Sequence, residues 1–406
     1  MGAARFDLDD PQTLFTACES GELPRLYDQL AVEAPLWKLP GLDAVYLTCT
    51  RALVEEAIAK PEQLSSNLTR VLFRDENGAP ALWDMAPLGD DSHRLATADP
   101  PAHTADRRLL LPFLGRPAMR AREPFVRGIA KELIGAFGPA TADITTELAD
   151  PLTMRVICQV VGIPEEDHHI LVDSVIAMDR IIAGLASRAE MEAGATAALT
   201  LLIRMQQYLT GTPPADSLLA YLQKAIASGD ATEAGALAIL MQIITAGTET
   251  TATLIGRAAR HLAEDTDLQD TVRRDPSRIP GVLETVLRED GPFQFHYRTA
   301  LPGATLGGQP IPEHATVLMM WASADLTAAS GAAPSPDDTP AASSHLAFGR
   351  GIHFCIGAHL ARLEATVAFE ELVQQRPAFE RDQARENAAR PSLMMSRPTA
   401  TPIRWL

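Results

Sequence analysis

Phe348-Gly-Arg-Gly-Ile-His-Phe-Cys-Ile-Gly357 is the stretch on which the reading of this chain turns. Its glycines at 349, 351 and 357 let the backbone turn through positive φ or approach a bound group closely. A cysteine in such a loop is displayed rather than packed. The apolar stripe of Leu360, Leu363 and Val367 predicts a helix over about 357–375, opening just after Cys355. Its unpaired first amides would point toward the sulfur, a field that lowers a thiol pKa. Such a thiolate is a nucleophile, a zinc ligand with His353 and His359, or a haem ligand, and the loop alone leaves the three open.

Working outward, the 406 residues are 46% apolar and 21% charged, the balance of an ordinary globular protein. Aromatics are only 5%, so the core rests on Leu, Ile, Val and Ala, which favours a mainly α fold. The 35 basic and 52 acidic residues give a net charge of −17, which argues against a nucleic-acid partner. Cys18, Cys49 and Cys158 lie far apart with no CxxC pair; they read as small buried hydrophobes in a reducing compartment. Residues 1–10 are acidic and lack the apolar core of a signal peptide, so the expectation is a cytoplasmic protein. The longest apolar run, 235–247, is shorter than the ~18 residues needed to span a bilayer, and predicts a buried helix rather than a membrane anchor.

Along the chain, Leu36-Trp-Lys-Leu39 and Ala44-Val-Tyr-Leu-Thr-Cys49 predict a small hairpin across Pro40-Gly41-Leu42-Asp43, followed by a helix over 51–60. Residues 65–101 read as a long loop whose apolar teeth, Leu72, Phe73, Trp83 and Met85, cover a pocket. Helix follows helix over 102–290, then short strands and Pro/Gly turns over 292–348. No linker is evident, so 1–406 is expected to be one domain.

A second motif, Ala246-Gly-Thr-Glu-Thr-Thr251, closes the apolar run. Glu249 is costly there unless solvated or paired, and Thr250 is placed to bond back to the Ala246 carbonyl, opening the helix. Gly247 leaves space where a side chain would stand. By itself the motif fits a polar helix end equally well.

With both motifs quoted, the chain resembles the cytochrome P450 family, whose haem loop reads Phe-Gly-x-Gly-x-His-x-Cys-x-Gly and whose oxygen-activation motif reads Ala/Gly-Gly-x-Asp/Glu-Thr. The resemblance spans roughly 35–400. It implies a mainly α, P450-like fold with a small β region and haem b (iron protoporphyrin IX) as cofactor, with Cys355 as the metal ligand. It also implies cofactor contacts from Phe348 over the sulfur, His353 at a propionate, Gly357, Ala246 and Gly247, with Glu249 and Thr250 relaying protons while water is excluded. Asp99-Pro-Pro-Ala-His-Thr-Ala-Asp-Arg-Arg108 resembles the family segment that brings His103 and Arg107, four apart on one helix face, to the propionates. Phe295-His-Tyr-Arg-Thr-Ala300 resembles the strand that supplies Arg298.

Two departures stand out. The family's Glu-x-x-Arg is replaced by Glu284-Thr-Val-Leu-Arg288, with Thr285 three residues before the arginine, and no Lys or Arg occurs from 299 to 349, where the family carries a partner arginine in the loop before the cysteine motif. The expectation is that Glu284 reaches Arg288, or that Arg288 bonds carbonyls of the 325–344 loop. The activity implied is insertion of one oxygen atom from dioxygen into a small hydrophobic substrate. The chain carries no flavin, nicotinamide or iron–sulfur fingerprint, so electrons come from outside; the resemblance implies a ferredoxin and its reductase, docking on Arg107, Arg108, Arg116, Arg120, Arg122, Arg350 and Arg362. Substrate-pocket candidates are Leu72, Phe73, Trp83, Ile181, Ile182, Ile243, Ala246, Phe293, Phe295, Met394 and Met395. The alternatives are a peroxide-driven or oxidative-coupling enzyme and a haem protein that senses or sequesters a ligand.

Overall fold

Segments rich in Ala and Leu and poor in aromatics have become helix over most of the chain in the computed structural model, which describes residues 5–85, 93–329, 345–385, 389–395 and 397–406. The central helix, Glu233–Glu264, starts at Thr232, whose hydroxyl accepts the Gly235 amide at 3.0 Å. It packs against Asp150–Val161, Ile279–Glu289 and Ala358–Gln375. Although it is long and apolar enough to cross a membrane, 61% of its most apolar 18-residue window is buried inside the protein.

The expected opening of this helix at Thr250 does not occur. Thr250 Oγ1 does donate to the Ala246 carbonyl at 2.8 Å, yet the helix runs on for fourteen residues to Glu264. A hydroxyl can share a carbonyl that already accepts from the backbone, so a single back-bond need not break the ladder.

The predicted hairpin is present: Leu36–Lys38 pairs antiparallel with Val45–Thr48. It belongs to a five-stranded sheet in which Thr316–Met320 runs parallel to Val45–Thr48, and Phe295–Ala300 and then Leu64–Ser65 follow. Phe295–Ala300 is thus an interior strand, which buries Arg298 opposite Val317.

Residues 65–101 are not simply a loop. Arg70–Arg74 and Pro80–Asp84 form a hairpin closed by a turn at Gly78, φ +78°. Leu72 and Phe73 are buried in the core that this hairpin shares with Phe295 and Met394. The Asp and Asn of 75–77 are turn chemistry between two strands, which composition alone reads as loop. A helix, Trp321–Ala329, also stands where strands and turns were expected, packed against Arg51–Ile58 and Ile279–Glu289.

Candidate functional site

The cysteine loop is built by its glycines. Gly349 and Gly351 have φ of +65° and +69°, and a Cβ on Gly349 would stand 3.3 Å from the Trp321 ring. The Cys355 amide donates to the Phe348 carbonyl at 2.8 Å, closing the loop on itself just before the helix Ala358–Gln375. The amides of Gly357 and Ala358 reach the sulfur, as expected, and with Arg107 and Arg362 they favour thiolate. Burial outweighs them, so the thiol is raised rather than lowered. Cys355 nevertheless keeps solvent-accessible surface, as do neighbouring Ile352 and Phe354 at 43% and 41%. A residue open to solvent whose thiol is closely surrounded by protein lies at the floor of a recess. Cys18, Cys49 and Cys158 are buried in the core, and burial raises their thiols too.

Beside the recess the structure gathers basic groups. The His103 and His353 rings are 4.2 Å apart between centroids, and His353 Nε2 lies 2.8 Å from Ser66 Oγ. Arg107 donates to the Phe354 carbonyl at 2.8 Å. Arg298 donates to the Tyr297 carbonyl at 2.7 Å and to His296 Nδ1 at 3.0 Å. Burial first, then the neighbouring basic groups, hold His353 at about 2 and His296 at about 3, while burial lowers Arg298 to about 10 against the pull of Asp99. Both ring nitrogens of buried His103 lack a well-formed hydrogen bond. Among the described residues no carboxylate forms a salt bridge with Arg107 or Arg298. A buried Arg298, a half-buried Arg107 and the orphaned imidazole nitrogens of His103 beside an open recess fit a group carrying carboxylates, which is what the propionates of haem supply.

His296 was not singled out from the sequence. Its signal was the strand period, since 296 and 298 point to one face. The zinc reading fails here, because no group of three His, Cys, Asp or Glu side chains converges among the described residues.

On the central helix, Ala246 is exposed and Thr250 half-buried in an otherwise buried element, so this stripe faces open space. Gly247 does not leave a vacancy: a Cβ there would meet Ile157 Cδ1 at 2.6 Å, so the glycine serves close helix packing. Glu249 is 4% exposed and is paired with Arg397 Nη1 at 2.8 Å; the same guanidinium also binds Asp150. Asp179, on the helix His168–Ile182, hydrogen-bonds Glu249, and burial with this contact pushes its carboxyl far above the usual range. Arg397 and Asp179 lie far from the motif in sequence and no local pattern marks them.

The Glu-x-x-Arg departure resolves differently from either expectation. Glu284 pairs with Arg362 and His345 instead of Arg288, which donates to Glu289 at 3.2 Å. Residues 330–344, most of the loop expected to receive Arg288, lie outside the described residues. Of the seven arginines assigned to a docking patch, Arg362 is taken by Glu284, Arg122 stacks on Phe113 and Arg350 pairs with Glu55. Arg108, Arg116 and Arg120 are exposed. Of the pocket candidates, Leu72 and Phe295 are fully buried core residues, while Trp83, Ile181, Ile182 and Phe293 are only partly buried. An open groove of about 740 Å³, lined by residues such as Arg155, His168 and Tyr208, contains none of the residues assigned from sequence.

No protein-family model matches the chain. It is 32% identical over 376 residues, covering 91% of this chain and 86% of the relative, to cytochrome P450 144 of Mycobacterium tuberculosis (strain CDC 1551 / Oshkosh). It is 32% identical over 303 residues, 70% of this chain and 71% of the relative, to 6-deoxyerythronolide B hydroxylase of Saccharopolyspora erythraea. The fold matches a mutant of P450 EryK in complex with erythromycin B with a TM-score of 0.82 at 25% identity, covering 96% of this chain and 97% of that one.

Proposed function

Because the chain belongs to the cytochrome P450 family, and is therefore a haem b-dependent oxidoreductase of the P450 type, we propose that it inserts one oxygen atom into a bulky, mainly apolar molecule with Cys355 as the metal ligand. The observation that carries the reading is the Cys355 recess bordered by buried Arg298 and half-buried Arg107, neither in a salt bridge among the described residues, and by the unpartnered ring of His103. Haem, when bound, supplies the centre at which dioxygen is reduced. His103, Arg107, Arg298 and His353 hold its carboxylates, and Phe348 and Gly357 shape the floor around the sulfur. Ala246 and Thr250 line the open side of the central helix. Glu249 receives and passes protons, with Asp179 as a carboxyl that keeps its proton next to it and Arg397 fixing its orientation.

One relative is named for hydroxylating 6-deoxyerythronolide B and one structural neighbour holds erythromycin B, which supports a bulky, mainly apolar substrate here. An external ferredoxin with its reductase supplies electrons in this reading, approaching Arg108, Arg116 and Arg120; the last two are one helical turn apart on Arg116–Gly135. The protein works as one domain in the cytoplasm. The test is the absorption spectrum of the reduced, carbon monoxide-treated protein beside Cys355→Ser: a strongly red-shifted thiolate band lost in the variant is expected. A band of histidine-ligated haem in both would sink the assignment. Turnover with a surrogate ferredoxin pair should slow as ionic strength rises; a salt-independent rate would remove the docking surface.

A further inference from the structure

Glu284 joins three segments around the cysteine loop. It sits on Ile279–Glu289 and accepts two parallel hydrogen bonds from Arg362 on Ala358–Gln375, Nε to Oε1 at 2.6 Å and Nη2 to Oε2 at 2.9 Å. Its Oε2 also lies 3.0 Å from His345 Nε2. The Ala347 amide donates to His345 Nδ1 at 3.2 Å, so the ring's remaining proton is on Nε2 and points at Glu284. Arg362 in turn lies 4.3 Å over the Phe348 ring, and the Phe348 carbonyl holds the Cys355 amide at 2.8 Å. The carboxylate is 12% exposed, and its partners hold it at about 2 against the upward push of burial.

We propose that Glu284, Arg362 and His345 form a clamp that positions Cys355, gripping the loop ten residues before the cysteine and seven after it. The clamp takes over the work of the Glu-x-x-Arg pair that this chain lacks, and the proposal rests on the reading of Cys355 as the metal ligand. Thr285, at the family's glutamate position, is instead committed to the Gly281 carbonyl at 3.2 Å. A bidentate carboxylate–guanidinium contact fixes both distance and plane, which a single hydrogen bond cannot do. The aromatic ring under the guanidinium passes that constraint to the loop backbone. All three are positioning residues.

The experiment compares haem-loaded wild type, Glu284→Gln, Arg362→Met, the double variant and Thr285→Glu by their reduced carbon monoxide spectra. The readout is the ratio of the thiolate band to the band of a neutral thiol, a property of the sulfur that loss of global stability alone does not move. Each single variant should lower this ratio on the order of tenfold, as expected for loss of a charge-assisted pair. The double variant should be no worse than either, because the two residues act as one unit. Arg362→Lys should recover only part of the ratio. Thr285→Glu should leave it unchanged; a marked gain in haem retention there would overturn the clamp as a complete substitute. If a variant loads haem poorly, the alkylation rate of Cys355 by iodoacetamide in the haem-free protein replaces the spectrum and should rise severalfold in it; an unchanged rate counts against the clamp. Both single variants keeping the wild-type ratio would overturn the clamp alone, whereas a wild type with no thiolate band would remove the Cys355 reading and the clamp with it.

Discussion

Arg298→Met should change stability in opposite directions with and without the cofactor. Arg298 is 6% exposed and held at about 10 rather than 12.5, with burial the largest cause. At about 1.4 kcal/mol per pH unit this is a cost of roughly 3 kcal/mol for keeping the cation in the haem-free protein. The unfolded chain binds more protons only between these two values, so the cost is present at every pH below 10 and relieved above it. Its bonds to the Tyr297 carbonyl and His296 Nδ1 offset about 1 kcal/mol each. Methionine should therefore make the haem-free protein about 1 kcal/mol more stable to urea at pH 7.5. In the loaded protein it removes a charge-assisted bond to a carboxylate, and transfer of haem to excess apomyoglobin should quicken about 10- to 100-fold. A haem-free variant less stable than wild type by more than 1 kcal/mol, with haem transfer unchanged, would refute the reasoning.

Gly247→Val should destabilise the fold by about 1–3 kcal/mol, because its Cβ would sit 2.6 Å from Ile157 Cδ1; adding Ile157→Ala should recover most of the loss in a urea titration. Glu364 is fully buried with both oxygens unpartnered, and burial keeps its carboxyl protonated. A carboxyl raised in the fold contributes its stability fully below its unfolded value near 4.3 and loses it by about 1.4 kcal/mol per pH unit above that while it stays protonated, so Glu364→Leu should gain about 1–3 kcal/mol from the unpartnered group near pH 4, and several kcal/mol more at pH 8 than at pH 5. Equal gains at both pH values would mean that Glu364 is ionised or relaxed in the fold.

The sequence by itself determined the helical class, the first hairpin, and the cysteine loop and its helix; its resemblance to the P450 family is what pointed to His103, Arg107, Arg298 and His353 as cofactor contacts. The fold elements are legible because each rests on local spacing: glycines within a loop, alternation in a strand and apolar stripes at helical period. Tertiary structure alone decided which charges meet. Glu249 with Arg397 and Asp179, and Glu284 with Arg362 and His345, join residues 60 or more positions apart for which spacing carries no information. It also reversed two local inferences. The helix amides do reach the Cys355 sulfur, yet burial raises the thiol, and the gap expected at Gly247 is filled by Ile157. Both depend on how densely other segments pack around the atom, and desolvation and steric contact are properties of the assembled core rather than of the nearest residues in the chain.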